Sequence, residues 1–155
     1  PILKAMDFSV LNMPVSGIAS LPYEIQLGGQ QISIINFKTL ENVREQAAKN
    51  TFLIVRMQNP EKSLAENIID AGADAIIGYG ETQMPYEIYK GKPIFYSLGN
   101  FIGNTNDDEG LAVGMVLDQH SAQYFIFPLT LQDDRPALLY GSQKSVTFTS
   151  PLRIK

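Results

Sequence analysis

The first half of the chain reads as short apolar strands separated by turn signals. Gly28 and Gly29, which supply the positive φ of a tight turn, separate the runs Tyr23–Leu27 and Gln31–Phe37, so this stretch predicts a β-hairpin. The continuous apolar run Thr51–Met57 is typical of a central strand that is covered on both faces.

Helical patterns lie on both sides of that central strand. Residues Glu41–Lys49 predict a polar surface helix. Asn59, a capping residue, and Pro60, which fits the first helical position, predict the start of a second helix, which Gly72 ends. The strand Ala75–Gly78 follows. This β-α-β-α-β order implies a parallel sheet with right-handed crossovers.

The second half has the pattern of an antiparallel meander. Glu87–Tyr89 and Ile94–Leu98 flank a short turn and predict a hairpin. Further strands are predicted at Leu111–Asp118, Ala122–Leu131 and Val146–Thr149. The predicted fold class is therefore α/β, with a mixed sheet built on a βαβαβ core, helices on one side of it, and antiparallel strands that pack as a second sheet.

Composition narrows the class of protein. The 155 residues, 45% apolar and 18% charged, predict one globular domain spanning residues 1–155, and because the chain begins at Pro1 we place the boundary with any upstream part before residue 1. A net charge of −4 provides no basic surface for nucleic acid or anionic membrane. The chain has no cysteine for disulfides or thiolate metal sites. No apolar run approaches the roughly 20 residues of a membrane span.

Several segments resemble the bacterial capsule-synthesis family (poly-γ-glutamate, CapA-like), which has a metallophosphatase-type fold. The segments are LKAMDFSVLN at 3–12, the predicted hairpin at 22–35, the helix and strand at 64–77, and YKGKPIFYSLGNF at 89–101. The resemblance covers most of residues 2–103 and is weaker beyond. It implies a partial metallophosphatase-like fold, because the family's first strand and its Asp-containing metal motif would lie upstream. It also implies an extracytoplasmic location at the bacterial cell envelope.

Three loops depart from the family's pattern where its metal ligands stand. The chain has PVSG at 14–17 in place of A-N-N-H, MQNP at 57–60 in place of H-W-G-x-E, and GYGETQ at 78–83 in place of G-x-H-P-H. A dinuclear phosphoesterase centre needs several His, Asp and Asn ligands, and the single histidine, His120, cannot build one. We therefore expect no catalytic residues, no bound metal and no cofactor.

The remaining polar residues at these positions are candidates for a remodelled pocket, because ligands bind at the carboxyl ends of strands in open α/β sheets. The alternative is that they are ordinary loop residues left after the site was lost. The acidic run Asp107–Glu109 predicts a solvated loop, with weak calcium binding as its alternative. The motif Ser97–Phe101 predicts structural bracing by the amide of Asn100, with a nucleophilic Ser97 as the alternative, for which no His or Lys base lies near in sequence. The candidate ligand-binding residues are Ser16, Gln58, Asn59, Tyr79, Glu81 and Asn100.

Two functional hypotheses follow. The first is a non-catalytic, degenerate capsule-synthesis-like domain that serves as a binding or structural module, with an unknown small molecule, polymer or envelope protein as its ligand. The second is a metal-dependent hydrolase or capsule-polymer enzyme whose metal ligands come from upstream residues or another subunit. We expect no nucleic-acid partner and no membrane span in this chain. A homodimer through an exposed sheet edge is a further possibility.

Overall fold

The computed structural model describes residues 23–27, 30–49, 51–80, 86–99, 109–118, 121–132, 135–138 and 146–151. Two helices and ten strands lie in these ranges, and the antiparallel strands follow the α/β part along the chain, as predicted. In chain order the elements are β1 Tyr23–Leu27, β2 Gln30–Asn36, α1 Leu40–Ala47, β3 Phe52–Gln58, α2 Lys62–Asp70, β4 Ala75–Tyr79, β5 Tyr86–Tyr89, β6 Lys92–Phe95, β7 Glu109–Leu117, β8 Ser121–Gln132, β9 Arg135–Leu138 and β10 Val146–Pro151.

The first sheet has six described strands in the order β1-β2-β3-β4-β6-β5. Strands β2, β3, β4 and β6 are parallel, whereas β1 and β5 pair antiparallel to their neighbours at the two edges. Helices α1 and α2 connect β2 to β3 and β3 to β4. The predicted mixed sheet with a βαβαβ core is confirmed, and so is the fold class.

Two apolar layers cover the first sheet, one on each face. Leu53 and Val55 of β3 pack with Ile68 of α2 on the helix side. Phe52 and Ile54 of the same strand pack on the opposite face against residues of β8, including Tyr124 and Ile126. Because successive side chains of a strand point to opposite faces, the continuous apolar run of β3 supplies both layers. The prediction of a strand buried on both faces is confirmed.

The second sheet consists of β10, β8 and β7, with β9 also pairing with β8. All of these pairs are antiparallel, which confirms the predicted meander for three strands. The hairpin predicted in the same half is present as β5 and β6, but it extends the first sheet, with β6 parallel to β4. Strand β9 was not predicted because its sequence, RPAL, is short and contains Pro136. Proline is tolerated at a sheet edge, and among the described strands β9 pairs only with β8.

The start of α2 differs from the prediction. Its N-cap is Glu61, whose side chain makes no capping hydrogen bond. Asn59 instead has a φ of +43°, and its N–H donates to the Tyr79 carbonyl at 2.8 Å. The strand pairing thus continues through Asn59, and the helix begins only after the buried Pro60. Gly72, with a φ of +118°, ends the helix as predicted.

No helix in the described ranges has the length and apolar character needed to cross a membrane.

Candidate functional site

The carboxyl ends of β3 and β4 lie side by side and bring three predicted site residues together. Gln58 is directly opposite Tyr79 in the parallel register, and Asn59 bonds to the Tyr79 backbone. All three side chains are exposed, with Tyr79 at 47% of its full accessibility. Their ligand-binding role stays a prediction. Ser16, Glu81 and Asn100, and also His120, lie outside the described residues.

The side chain of Asn59 lies directly against the backbone of Gly80. A Cβ at Gly80 would stand 1.8 Å from Asn59 Oδ1, and Gly80 has a φ of +120°. Only glycine meets both conditions without strain. The Asn59 amide therefore fills the space next to the end of β4, where a longer side chain at residue 80 would otherwise project.

At Gly78, near the same strand ends, the backbone of β4 also lies very close to neighbouring residues. A Cβ there would lie 2.2 Å from the Tyr96 carbonyl oxygen and 2.5 Å from a ring carbon of Pro60. The chain that leaves β6 and the turn that leaves β3 thus both press on the backbone of β4. This packing requires a residue with no side chain at position 78.

Ser97 links the chain after β6 to the chain after β4. Its hydroxyl donates to the Gly80 carbonyl at 2.9 Å and accepts from the Gly99 N–H at 3.1 Å. Ser97 is 9% exposed. The hydroxyl therefore acts as a brace between backbone groups. The predicted bracing by the Asn100 amide lies outside the described residues.

Arg56 is a residue of this edge that the sequence reasoning missed. It is the one charged residue in the apolar strand β3, two positions before the strand ends, and its guanidinium carbon lies 5.8 Å from the centre of the Tyr79 ring. This is a cation–π distance. The sequence did contain a signal for Arg56, namely one charged residue inside an apolar strand. Burying a charge is costly unless it is paired or functional, so such a residue is a candidate for the site.

A charged network flanks the site on the helix side. Lys62 at the start of α2 contacts Glu87 of β5 at 2.5 Å, and the Tyr96 hydroxyl donates to the other Glu87 oxygen at 2.6 Å. The bond from Lys62, and then that from Tyr96, lowers the pKa of Glu87. Burial, followed by the hydrogen bond to Glu87, raises the pKa of Tyr96. The network therefore fastens α2 to the edge strand β5.

The opposite, amino end of the same strands carries a more deeply buried ion pair. Asp74 accepts from the Leu53 N–H at 3.0 Å and from Lys92 Nζ at 3.0 Å, and Lys92 also donates to the Ala73 carbonyl at 2.6 Å. The side chains of Asp74 and Lys92 are 7% and 15% exposed. Because each charge has a partner and most of its hydrogen bonds, the pair ties β3, β4 and β6 together.

The donor groups at the carboxyl ends do not fit a dinuclear metal centre. In the described part of the chain, no three His, Cys, Asp or Glu side chains converge. The exposed groups that end β3 and β4 are the amides of Gln58 and Asn59 and the phenol of Tyr79, since Met57 is buried in the helix-side core. Divalent transition metals that activate water are held by imidazole and carboxylate ligands, so we derive no metal-dependent step for these residues.

Comparison with known proteins agrees with the family resemblance. Residues 53–105 match the family described as bacterial capsule synthesis protein PGA_cap. This segment runs from β3 through the strand ends of the site. The chain is 33% identical over 81 residues to the capsule biosynthesis protein CapA of Bacillus anthracis, and 35% identical over 82 residues to the PGA biosynthesis protein CapA of Bacillus subtilis. The resemblance to the CapA-like capsule-synthesis family is thereby confirmed.

The matches cover only part of each protein. The two Bacillus alignments span 49% and 50% of this chain but 20% and 22% of those relatives. A shorter stretch of 42 residues is 60% identical to the uncharacterized protein y4sH of Sinorhizobium fredii and covers 26% of this chain and 9% of that protein. No solved structure gives a significant match. The chain therefore spans less than a quarter of the length of these relatives.

Proposed function

We propose that this chain is a non-catalytic module of the capsule-synthesis family that binds a ligand or serves a structural role. The observation that carries the proposal is the chemistry of the strand ends. By the family resemblance, Gln58 and Asn59 lie in the segment that replaces H-W-G-x-E and Tyr79 in the segment that replaces G-x-H-P-H. In the structure Gln58 is opposite Tyr79, and Asn59 packs on Gly80. Amide and phenol groups bind ligands through hydrogen bonds and do not generate a metal-bound hydroxide.

The biological setting of the proposal comes from the relatives. The two Bacillus proteins are named for capsule and PGA biosynthesis, which supports an extracytoplasmic place at the bacterial cell envelope. The ligand of the module is then a small molecule, a polymer or another envelope protein. The net charge of −4 disfavours binding of a long polyanion along the whole surface without a bridging cation.

Metal analysis of the purified protein, run with a generic phosphodiesterase assay, tests this proposal. After incubation with manganese or zinc and desalting, we expect no stoichiometric metal and no hydrolysis above the uncatalysed rate. Stoichiometric metal together with hydrolysis would instead favour the alternative, a metal-dependent enzyme whose ligands come from upstream residues or another subunit.

The edges of the first sheet are candidates for self-association. Among the described strands, β1 and β5 each pair on one side only, and each exposes a large apolar side chain, Tyr23 at 48% and Ile88 at 45%. Unpaired edge groups bind further strands readily, so we propose a homodimer formed through one of these edges. Sedimentation velocity over a concentration series tests it. A monomer at every concentration would contradict it.

A further inference from the structure

Arg56 occupies an unusual position within the first sheet. In the register of the parallel strands it stands between Asn36 of β2 and Ile77 of β4. Its neighbours Val55 and Met57 pack into the helix-side core, so strand alternation places Arg56 on the face covered by the second sheet. The side chain is half-buried. A cation in this position loses part of its hydration and requires compensation from other groups.

No carboxylate among the side chains that the structure describes pairs with Arg56. Five ion pairs within 4.0 Å are present in these ranges, and they involve Arg44, Lys62, Lys90 and Lys92 as cations. The contact of Arg56 that the structure does show is with the ring of Tyr79. That ring orients a guanidinium without neutralising it.

Arg56 lies among side chains that are able to contact a ligand. It lies near the carboxyl end of β3, and open α/β folds bind ligands at the carboxyl ends of their strands. Gln58, two residues further along the same face, and Tyr79 beside it are both exposed. An amide donor and an exposed aromatic ring therefore border a half-buried guanidinium whose charge the described residues leave unneutralised.

We propose that Arg56 binds an oxyanion group of the ligand, a carboxylate or a phosphate, with Tyr79 holding the guanidinium and Gln58 donating a further hydrogen bond. Planar guanidinium forks bind such groups through two parallel N–H donors. The inference deepens the proposed function, on which it rests, by naming the chemistry of the ligand. One oxyanion at one arginine is compatible with the net charge of −4, because the interaction is local.

Titration of the full chain with inorganic phosphate, and separately with acetate, tests the assignment by NMR of the arginine side-chain Nε–H signals. The Arg56 signal, assigned from its loss in Arg56→Gln, should shift in a saturable way with at least one of the two anions. Preference for phosphate or for acetate then distinguishes the two sources of the oxyanion. Arg44, already paired with Glu41, provides the matched control, and Arg44→Gln should leave the titration unchanged.

Variants of Arg56 and Tyr79 distinguish an effect on anion binding from an effect on folding. Arg56→Gln should weaken the preferred anion at least tenfold, and Arg56→Lys, which keeps the charge but not the planar fork, should fall in between. Tyr79→Leu, which removes the ring that contacts the guanidinium, should weaken binding, and Tyr79→Phe, which keeps a ring, should weaken it less than Tyr79→Leu. If Arg56→Gln does not fold, the loss of the signal in Arg56→Lys provides the assignment, and the wild-type Arg56 signal still decides the question. An Arg56 signal that does not respond to either anion would overturn the site.

The two proposals fail in different ways. Stoichiometric metal and hydrolysis would overturn the non-catalytic function even if Arg56 bound anions. An unresponsive Arg56 in a metal-free, inactive protein would overturn only the oxyanion site.

Discussion

The two ends of the parallel strands differ in whether their charged side chains are paired. At the amino end, Asp74 and Lys92 are both largely buried, and they bond to each other, to the backbone of β3 and to the Ala73 carbonyl just before β4. At the carboxyl end, the groups that terminate β3 and β4 are neutral and exposed, and Arg56 lacks a carboxylate partner among the described residues.

The charges of Asp74 and Lys92 stabilise the fold, whereas the charge of Arg56 is the one that we propose binds a ligand. A buried ion pair contributes to stability only when both charges are satisfied within the fold, which is the arrangement at the amino end. The carboxyl end is instead shaped by close backbone contacts at Gly78 and Gly80, and it contains the half-buried guanidinium of Arg56. We therefore expect substitutions at the amino end to affect stability and substitutions of Arg56 to affect binding.

The largest expected effect is that of Asp74→Ala. It leaves the Lys92 ammonium and the Leu53 N–H without their carboxylate, and breaking a buried pair in this way costs about 3–5 kcal/mol. Urea unfolding measures the change in the free energy of unfolding. Gln58→Ala, an exposed substitution at the other end of β3, is the control and should change it by less than about 0.5 kcal/mol. Equal effects of the two variants would contradict the comparison.

Gly78→Ala should have the next largest effect. The added methyl group would meet the Tyr96 carbonyl and the Pro60 ring, and because one of these is backbone, the strands must move apart. Overpacking of this kind costs about 1–3 kcal/mol. Thermal unfolding gives the shift, again against Gln58→Ala. A melting temperature equal to that of the wild type would contradict the close contact of Gly78 with Tyr96 and Pro60.

The last expected effect appears only at alkaline pH. Burial raises the pKa of both Tyr96 and Tyr124 above the ordinary value of 10.0, with further contributions from Glu87 and Asp74 respectively. The unfolded chain ionises these tyrosines near their ordinary pKa while the folded chain keeps them neutral. Their contribution to stability is therefore complete below pH 10 and declines as the pH rises toward their folded pKa values.

Tyrosinate absorbance and circular dichroism, recorded together, test this expectation. Tyr96 and Tyr124 should ionise only as the protein unfolds, and Tyr96→Phe should remove one of the two delayed ionisations. Full ionisation of all seven tyrosines while the circular dichroism stays native would contradict it.

The fold was predictable because local signals and the overall pattern agreed. The apolar run of β3 and the glycine that ends α2 each determined an element without knowledge of its neighbours. The start of α2 was predicted wrongly, since Asn59 and Pro60 form an ordinary helix-start pattern. In the structure Asn59 continues the pairing with β4, and a sequence does not display that long-range hydrogen bond.

The site was predictable only in part, because some of its contacts also join residues that are far apart in the sequence. The strand-end positions Gln58, Asn59 and Tyr79 followed from the β-α-β order, and the structure brings them together. The contact of Asn59 with Gly80 and that of Arg56 with Tyr79 depend on side-chain directions across two strands. Sequence spacing alone does not provide these directions.

Anomalous diffraction from crystals grown with manganese tests the central claim most directly. The claim is that the carboxyl ends of β3 and β4 serve ligand binding without a metal centre. The account predicts no anomalous peak beside Met57 and Tyr79. Two strong peaks a few ångströms apart at that edge, the spacing of a two-metal hydrolase centre, would contradict it.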